Sequence, residues 1–260
     1  MILDQLNRPI RIPNKPNRII SLVPSQTEFL FDIGLEKEIV GITLFCVHPK
    51  SKVEKVDRIG GTKRLNFSKI DQLKPDLIIA NKEENNKEDI ERLSKQYPVW
   101  VSDVNNMEEA IEMMRSLGSL LDKENEAHEL ISTILSENQK LKSDQISGKV
   151  AYLIWNNPIM VAANDTFIHA MLNLAGFENV FVSSTRYPEV TIEDLQKRNP
   201  DFLFLSSEPF PFKQKHLAFF KEKLPQTNVV LVDGEMFSWY GSRLRFFAEY
   251  IDQLKKQLKD

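Results

Sequence analysis

The stretch that decides the fold is residues 119–147, SLLDKENEAHELISTILSENQKLKSDQIS, which contains neither glycine nor proline. Its apolar residues recur at spacings of three and four, which is typical of an amphipathic helix with one buried stripe. They are Ala127, Leu130, Ile131, Ile134, Leu135 and Leu141. The firmest part of the predicted helix is Lys123–Lys142, roughly 30 Å long at 1.5 Å per residue. The sequences before and after this stretch resemble each other, which indicates an internal repeat.

The repeat is clearest in two segments, KIDQLKPDLIIA at 69–80 and DLQKRNPDFLFL at 194–205. In each, a short helix passes through Pro-Asp into four apolar strand residues. An earlier helix in each half ends at a glycine, Gly34 or Gly176, as helices commonly do. Any two βα units share part of this pattern. Two matched segments in the same order nevertheless favour a two-lobed pseudo-repeat.

Strands alternate with helices in both halves, beginning with Arg18–Val23 and Lys149–Trp155. This order is typical of parallel sheets covered by helices. We therefore predict an α/β fold with two Rossmann-like lobes, 1–118 and 148–260, joined by one long rigid helix at 119–147. Two such lobes would leave a cleft between them. Ligands of open α/β sheets bind outside the carboxyl ends of the strands, so the loops there are the first places to inspect.

Two helix boundaries can be predicted from local signals. Pro24 stops the first strand, and Ser25 with Glu28 has the S-x-x-E form of a capping box. This predicts a helix over Gln26–Ile33. Gly118 is expected to separate the long helix from the helix before it.

The composition of the chain excludes several functions. Its 260 residues carry a net charge of −3 with mixed signs, so no electrostatic footprint for nucleic acid is present. The single cysteine, Cys46, excludes an internal disulfide and a four-cysteine metal site. No apolar run approaches the 18 or so residues that span a membrane. The first residues lack the features of a secretory signal, so we expect either a cytoplasmic protein or a missing leader.

Several motifs together resemble the substrate-binding proteins of cobalamin and iron–siderophore ABC importers, and most closely the cobalamin branch. They are RIISLVPSQTE at 18–28, GIT at 41–43, CVHP at 46–49, IGGT at 59–62 and LKPDLIIAN at 73–81. The resemblance covers nearly the whole chain, including the helix between the lobes. It implies the fold of class III periplasmic binding proteins, in which a helix forms the backbone between lobes.

This resemblance implies a monomeric receptor, without a cofactor or resident metal, that captures a metal chelate in the interlobe cleft. The chelate would be a cobalamin-like corrinoid or a ferric siderophore. It also implies an extracytoplasmic location and docking on an ABC permease dimer through one surface carboxylate per lobe. The candidates for docking are Glu83 and Glu208, which share a register in the repeat, with Glu84 and Glu88 as substitutes. The alternative is that these acids are solvated surface residues.

One departure from the resemblance concerns the ligand. Cobalamin receptors place a tryptophan near the segment that corresponds to Asn81 and Lys82, whereas this chain has polar residues there. Aromatic walls would then come from other positions, namely Trp155, Tyr187, Phe237, Trp239 and Tyr240.

The best candidate site from the residues themselves is FSWYGSR at 237–243. Phe237, Trp239 and Tyr240 fall in a predicted loop between a strand and a helix, where flat rings could stack on a planar ligand. A hydrophobic plug that seals the edge of the lobe is the alternative. Arg243 and the Arg186-Tyr187 pair are candidates for binding an anionic ligand group.

Further ligand-binding candidates lie in the other strand-end loops. Ser25 and Gln26 stand at a predicted helix N-terminus, where free backbone N–H groups favour anions. His48 is expected to be a hydrogen-bonding residue of the cleft, and Cys46 a small buried hydrophobe. The remaining candidates are Phe45, Thr62, Lys82 and Trp155.

Enzyme motifs are absent. The nine glycines form neither G-x-G-x-x-G nor a P-loop, and neither G-x-S-x-G nor H-E-x-x-H occurs. The prediction of a receptor comes from the resemblance described above. The alternatives are a cytoplasmic ligand sensor or carrier on the same fold, and an enzyme of unrecognised type.

Overall fold

The chain divides into two units, and neither is continuous in sequence. The computed structural model describes residues 2–12, 15–141 and 147–259. Unit 1 comprises Met1–Val104, Glu108–Thr133 and Tyr240–Arg243, and unit 2 comprises Asn105–Met107, Ile134–Trp239 and Leu244–Asp260. The predicted division into 1–118, 119–147 and 148–260 did not foresee that short segments such as Asn105–Met107 and Tyr240–Arg243 belong to the other unit than their chain neighbours. The predicted boundaries stay a prediction.

Unit 1 contains a central parallel sheet flanked by helices. Its strands are β1 (Ile2–Leu3), β2 (Pro9–Ile10), β3 (Ile19–Ser21), β4 (Ile39–Ile42), β5 (Asp57–Arg58), β6 (Gly60–Gly61), β7 (Arg64–Leu65), β8 (Leu77–Asn81) and β9 (Val99–Ser102). The helices are α1 (Pro24–Asp32), α2 (Lys50–Val53), α3 (Phe67–Leu73), α4 (Lys87–Ser94) and α5 (Met107–Leu120), of which Met107 belongs to unit 2. The sheet has the order β5-β4-β3-β8-β9. Parallel strands are covered on both faces, which explains why all five residues of β8 are buried.

The first helix begins earlier than predicted, and the capping box at Ser25 and Glu28 is wrong. Helix α1 starts at Pro24, with Val23 as the N-cap residue and no side-chain cap. Proline fits the first helical turn because the backbone N–H that it lacks would have no partner there. Ser25 therefore lies inside the helix, where it is buried.

The long predicted helix is shorter than expected. Helix α5 continues through Gly118 to Leu120, Asp122 adopts a φ of 54°, and α6 runs over Glu124–Asn138. Gly118 is a point of close approach, since a Cβ there would lie 2.6 Å from the Ala127 Cβ. Helix α6 is thus about 22 Å long at 1.5 Å per residue, and the predicted positions 142–146 lie outside the described residues.

The predicted apolar stripe of α6 is only partly buried. Ala127, Ile131 and Ile134 are buried, whereas Leu135 is 40% exposed. The polar Asn138 is buried instead, and its amide donates to the carbonyls of Ile134 and Leu244. The periodicity of apolar residues does not predict a buried asparagine. The boundary between the two units falls within α6, after Thr133.

Unit 2 contains a second sheet, which is mostly parallel. Its strands are β10 (Lys149–Asn156), β11 (Ile159–Val161), β12 (Glu178–Asn179), β13 (Phe202–Ser206) and β14 (Asn228–Val232). The helices are α7 (Phe167–Leu174), α8 (Ile192–Arg198), α9 (Gln214–Lys223), α10 (Gly234–Ser238) and α11 (Phe247–Gln257). A 3-10 turn at Ser242–Phe246 precedes α11, and its first two residues belong to unit 1. The strand order is β11-β10-β13-β14, with β12 also pairing with β10. Strand β11 is antiparallel to β10, which the alternation of strands and helices did not predict.

The matched segments of the two halves have matched geometry. Lys74 and Asn199 end α3 and α8 in the left-handed conformation, with φ of 46° and 45°. The aspartate after each following proline then binds the first residue of the neighbouring strand segment. Asp76 accepts from the Arg18 N–H at 2.9 Å, and Asp201 accepts from the Lys149 N–H at 2.7 Å.

The glycines that were expected to end the earlier helices also correspond. Gly34 and Gly176 have φ of 83° and 81°, a conformation that only glycine adopts at little cost. The same local devices therefore recur at equivalent positions in units 1 and 2, as the pseudo-repeat predicts. Each unit buries its own apolar core around its own sheet.

Candidate functional site

The loop after β4 presents apolar side chains at the strand ends of unit 1. Leu44 and Phe45 are each 58% exposed, and Val47 is 44% exposed. Cys46, which lies between Phe45 and Val47 in the chain, is fully buried. The guanidinium of Arg58 donates to the carbonyls of Thr43 and Cys46, each at 2.8 Å. This loop is therefore held by Arg58 with its apolar side chains facing outward, a role for Arg58 that the sequence did not reveal.

Cys46 is a buried residue, as predicted. Its Sγ lies 3.1 Å from the Thr27 hydroxyl and 3.2 Å from the Thr43 hydroxyl. Burial raises the pKa of the Cys46 thiol, because a thiolate would be poorly solvated there. The cysteine is thus a small core residue and not an activated nucleophile.

Gln26 lies in a buried polar network and not on the surface. Its side-chain amide donates to the hydroxyl of Ser102, which also accepts from the Asn81 amide at 3.0 Å. Ser102 in turn donates to the carbonyl of Ala80. Gln26 is fully buried and Ser25 is 5% exposed, which argues against the anion site at these two residues, and that site stays a prediction.

Asn81 at the end of β8 holds the loop that contains Lys82, a predicted ligand-binding residue, and Glu83 and Glu84, two predicted docking residues. Its Oδ1 accepts from the backbone N–H groups of Glu83 and Glu84, at 2.8 and 3.0 Å. Lys82 projects outward and forms an ion pair of 2.6 Å with Asp103. Lys82 is exposed and the two glutamates are half-buried.

The other predicted residues of this edge are partly accessible. Thr62 is half-buried, and its carbonyl accepts from the Asn85 amide at 3.1 Å. Glu88 is exposed in the first turn of α4. His48 is half-buried and lies near Glu28, whose charged form it stabilises.

Arg243 is bound within unit 1 by a buried carboxylate. Its Nε and Nη2 donate to the two carboxylate oxygens of Glu28, at 3.1 and 2.9 Å. The side chains are only 11% and 7% exposed. Burial raises the pKa of Glu28, and the guanidinium opposes this shift. Arg243 thus has a structural partner, which reduces its availability for an anionic ligand group.

The aromatic segment, defined as Phe237–Tyr240, is mostly buried. Phe237 lies in the last turn of α10 and not in a loop, and it is fully buried against Tyr152, Phe204 and Phe247. The burial of Phe237 favours the plug alternative, and its role in stacking on a ligand stays a prediction. Trp239 and Tyr240 are 6% and 5% exposed.

A carboxylate holds the middle of the aromatic segment. Oε1 of Glu208 accepts from the Trp239 indole N–H at 2.8 Å and from the Ser238 hydroxyl at 2.6 Å. Burial raises the pKa of Glu208, and the two donors oppose this shift. The carboxylate engaged in this way is less suited to meet a permease, which argues against the predicted docking role of Glu208.

The exposed aromatic surface of unit 2 lies elsewhere, around Trp155. This residue is 39% exposed at the end of β10, and its ring meets the Phe210 ring edge-on at 5.6 Å. The Phe210 ring also contacts the rings of Phe212 and His216. The sequence predicted Trp155 but missed Phe210, although the run EPFPF after a strand is a visible signal.

Arg186 and Tyr187 adjoin this sheet edge. Arg186 adopts a φ of 62° and donates to the carbonyl of Asp165 at 2.6 Å and to the Asn105 side chain at 3.2 Å. Its guanidinium lies 5.6 Å from the centre of the Tyr187 ring. Arg186 is exposed and Tyr187 half-buried, so both remain candidates for ligand contact.

Two searches of the described part of the chain give negative results. Within it, no helix combines the length and the apolar character that a membrane crossing requires. No group of three or more histidine, cysteine, aspartate or glutamate side chains in residues 2–12, 15–141 and 147–259 is placed to hold a metal ion.

Comparison with known proteins decides the family. The family model described as "Periplasmic binding protein" matches residues 19–229. The chain belongs to the periplasmic binding protein family. The match extends from the first residue of β3 in unit 1 to the start of β14 in unit 2, and the family is one of substrate-binding proteins.

Two curated relatives show how far the similarity extends. An uncharacterized ABC transporter substrate-binding lipoprotein of Bacillus subtilis is 29% identical over 209 residues, which are 76% of this chain and 66% of the relative. A vitamin B12-binding protein of Pectobacterium atrosepticum is 24% identical over 254 residues, which are 94% of this chain and 90% of the relative.

A solved structure confirms the fold. A possible iron-binding, periplasmic solute-binding protein of Staphylococcus epidermidis is similar with a TM-score of 0.78 and 25% identity, covering 95% of this chain and 100% of the other. The predicted α/β fold of the class III periplasmic binding protein kind is therefore confirmed, with α6 shorter than expected.

Within this family, the strand-end residues fall into two groups. Exposed or half-exposed candidates are Phe45, His48, Thr62, Lys82, Trp155, Arg186 and Tyr187. Ser25, Gln26 and Phe237 are core residues, while Trp239, Tyr240 and Arg243 are largely buried. That residues of both units meet one ligand stays a prediction.

Proposed function

We propose that this protein is the substrate-capture subunit of an ABC importer and binds a metal chelate, a cobalamin-like corrinoid or a ferric siderophore. The observation that carries the proposal is similarity over 94% of the chain to a protein named vitamin B12-binding protein. The similarity to an ABC transporter substrate-binding lipoprotein supports the transport role.

The accessible strand-end residues suit a bulky ligand with apolar faces. In unit 1 the loop after β4 exposes Leu44, Phe45 and Val47. In unit 2 the exposed ring of Trp155 is fixed by Phe210, and its indole N–H donates to the Asn157 carbonyl at 3.1 Å. Rigid aromatic rings bury much area at little entropic cost, which favours stacking on a macrocycle or planar chelate.

Binding, and not catalysis, is the proposed activity. The one cysteine is buried, and its thiol has a raised pKa, which is opposite to the activation that a cysteine nucleophile requires. Membership of a substrate-binding family agrees with this proposal.

For the contact with a permease, we propose Glu83, Glu84 and Glu88 as the docking acids of unit 1. The backbone of the first two is fixed by Asn81, and Glu88 is exposed on α4. Glu83→Lys should leave the affinity for the ligand unchanged while uptake of the ligand by cells falls. A substitution that lowers both the affinity and the uptake would argue against a separate docking role for Glu83.

The ligand class is tested by thermal unfolding with cyanocobalamin, cobinamide, haemin and a ferric hydroxamate siderophore. A ligand that binds the folded state at 100 times its Kd adds about 2.7 kcal/mol of stability, which is a clear rise in Tm. No shift with any of the four compounds would reject the proposed ligand class.

Matched variants then test the contact surface. Trp155→Ala should weaken binding by about tenfold, which corresponds to roughly 1.4 kcal/mol for a buried aromatic contact. Phe219→Ala is the control, because Phe219 is an exposed aromatic ring of the same unit that lies on α9. Equal effects of the two substitutions would exclude a specific role for Trp155.

A further inference from the structure

The contacts of Glu208 give the aromatic segment a property that the ligand proposal does not include. We propose that Glu208 is a positioning residue whose ionised carboxylate holds the Trp239 indole and the Ser238 hydroxyl, and that its protonation loosens both and weakens ligand capture. This inference rests on the proposed function for its effect on the ligand, but the positioning itself is testable without any ligand.

The first support is that both donors converge on one oxygen. Trp239 Nε1 and Ser238 Oγ both donate to Oε1 of Glu208, at 2.8 and 2.6 Å. Hydrogen bonds to an ionised acceptor are about twice as strong as those between neutral groups. The charge of Glu208 therefore determines how firmly the indole is held.

The second support is that the Ser238 hydroxyl has an alternative acceptor. Its oxygen also lies 2.9 Å from the carbonyl of Gly234, four residues earlier in α10. One hydroxyl proton can be donated to only one of the two oxygens. An ionised Glu208 attracts that proton, whereas a protonated Glu208 leaves it to the backbone carbonyl. The segment thus has two hydrogen-bonding states that differ by one proton on Glu208.

The third support is that the backbone makes room for the carboxylate. A Cβ at Gly234 would lie 2.6 Å from Cγ of Glu208. The Gly234 N–H is bound in turn by the Ser207 hydroxyl at 2.8 Å. Glu208 therefore occupies a fitted position against the start of α10 and does not lie loosely on the surface.

The two acids near Glu208 disfavour its ionisation. Asp233 and Glu235 stand at the start of α10, and Tyr152 faces it from β10. Tyr250 of α11 adjoins Asp233, since its oxygen accepts from the Asp233 N–H at 2.8 Å. Burial is the largest cause that raises the pKa of Glu208, and the acids Glu235 and Asp233 add to it. Protonation is thus expected at a pH above the usual range of a glutamate.

The decisive experiment follows tryptophan emission in the ligand-free protein. The chain has three tryptophans, Trp100, Trp155 and Trp239. Trp155→Phe removes the exposed one, so that Trp239 and the buried Trp100 remain as emitters. Emission should change between pH 8 and pH 4, with a midpoint above the value of about 4.3 for a free glutamate. The change should disappear in Glu208→Gln, whose amide oxygen accepts the same bonds but does not titrate.

Two further variants separate positioning from a merely structural role. Ser238→Ala removes a donor that lowers the pKa of Glu208, so the midpoint should move to higher pH. Glu222→Gln changes an exposed acid of the same unit and should leave the transition intact. The proposal would be overturned if the emission change with pH persists in Glu208→Gln, or if the Trp155→Phe protein with Glu208 intact shows no such change.

Calorimetry with cyanocobalamin tests the effect on the ligand, in the protein that retains Trp155. Affinity should fall about fivefold between pH 8 and pH 4, the range of the emission experiment, as expected for the loss of one hydrogen bond, and Glu208→Gln should show the weaker affinity at both values. Equal affinity of the parent at both pH values would reject the coupling to capture. If cyanocobalamin does not bind at any pH while the emission transition holds, the proposed ligand fails and the positioning of Trp239 stands.

Discussion

At the scale of single residues, the pair Glu28–Arg243 shows how a buried charge depends on its partner. Both side chains are almost inaccessible, and two hydrogen bonds join them. The pKa of Glu28 is raised by burial in spite of the guanidinium. A carboxyl whose folded pKa lies above its unfolded pKa contributes stability below the unfolded value and loses it as pH rises through the folded value. At neutral pH, ionised Glu28 therefore relies on Arg243.

Replacing Arg243 with methionine should destabilise the protein by about 3 kcal/mol at pH 7.5, because the buried carboxylate loses its counter-charge. The destabilisation should be smaller at about pH 4.5, because burial raises the pKa of Glu28 above its ordinary value and the carboxyl takes up a proton as the pH is lowered. Urea unfolding at both pH values measures this. The matched double variant Glu28→Gln/Arg243→Met should recover most of the loss, and a double variant as unstable as the single one would contradict the role of the charge.

At the scale of elements, the sequence predicts best where one residue type fixes one backbone conformation. Gly34 and Gly176 end their helices in the left-handed region, and the Pro-Asp segments lead into strands as expected. Thr191, followed by Asp194 in a T-x-x-D sequence, caps α8: its hydroxyl accepts from the Asp194 N–H while the Asp194 side chain accepts from the Thr191 N–H. These signals are local, so a single sequence contains them.

Thr191→Ala should therefore cost about 1 kcal/mol of stability, the usual contribution of an N-cap side chain. Thr185→Ala serves as the control, since Thr185 is an exposed threonine of the same unit outside any helix. Chemical denaturation of the two variants in parallel measures the difference. Equal stabilities would show that the capping box of α8 contributes nothing in solution.

Elements were mispredicted where distant contacts decide the outcome. The end of α6 coincides with buried Asn138, whose amide bonds a carbonyl at position 244. Gln26 is buried, and its side-chain amide donates to Ser102, which lies far along the chain. The sequence predicts Phe237 in a loop between a strand and a helix, whereas in the structure it lies in α10 and packs in the core on Tyr152 and Phe247. Spacing identifies the right segment but not the direction of each side chain.

At the scale of the whole molecule, the two units draw on segments that are far apart in the chain. Unit 1 receives Tyr240–Arg243 from a region whose neighbours on both sides belong to unit 2. Gly241 has a φ of 150°, and a Cβ there would lie 3.0 Å from the Ser25 carbonyl oxygen. The four-residue segment is therefore an integral part of unit 1.

A fragment comprising residues 1–141 should consequently be less stable than unit 1 in the full chain, because Glu28 has lost Arg243. Glu28→Gln should raise the stability of this fragment by removing the uncompensated charge. Circular dichroism during urea unfolding of the fragment, with and without the substitution, gives the comparison. A fragment that Glu28→Gln leaves unchanged or weakens would show that the segment 240–243 is dispensable.

The separation of Glu28 and Arg243, 215 positions along the chain, has a consequence for the evolution of this protein. Neither residue can be exchanged alone without exposing the fold to an unbalanced charge, so the two positions should change together among related sequences. Relatives that lack a cation at the position of Arg243 should carry a neutral side chain where this chain has Glu28, and an alignment deep enough to count such pairs would reveal the correlation.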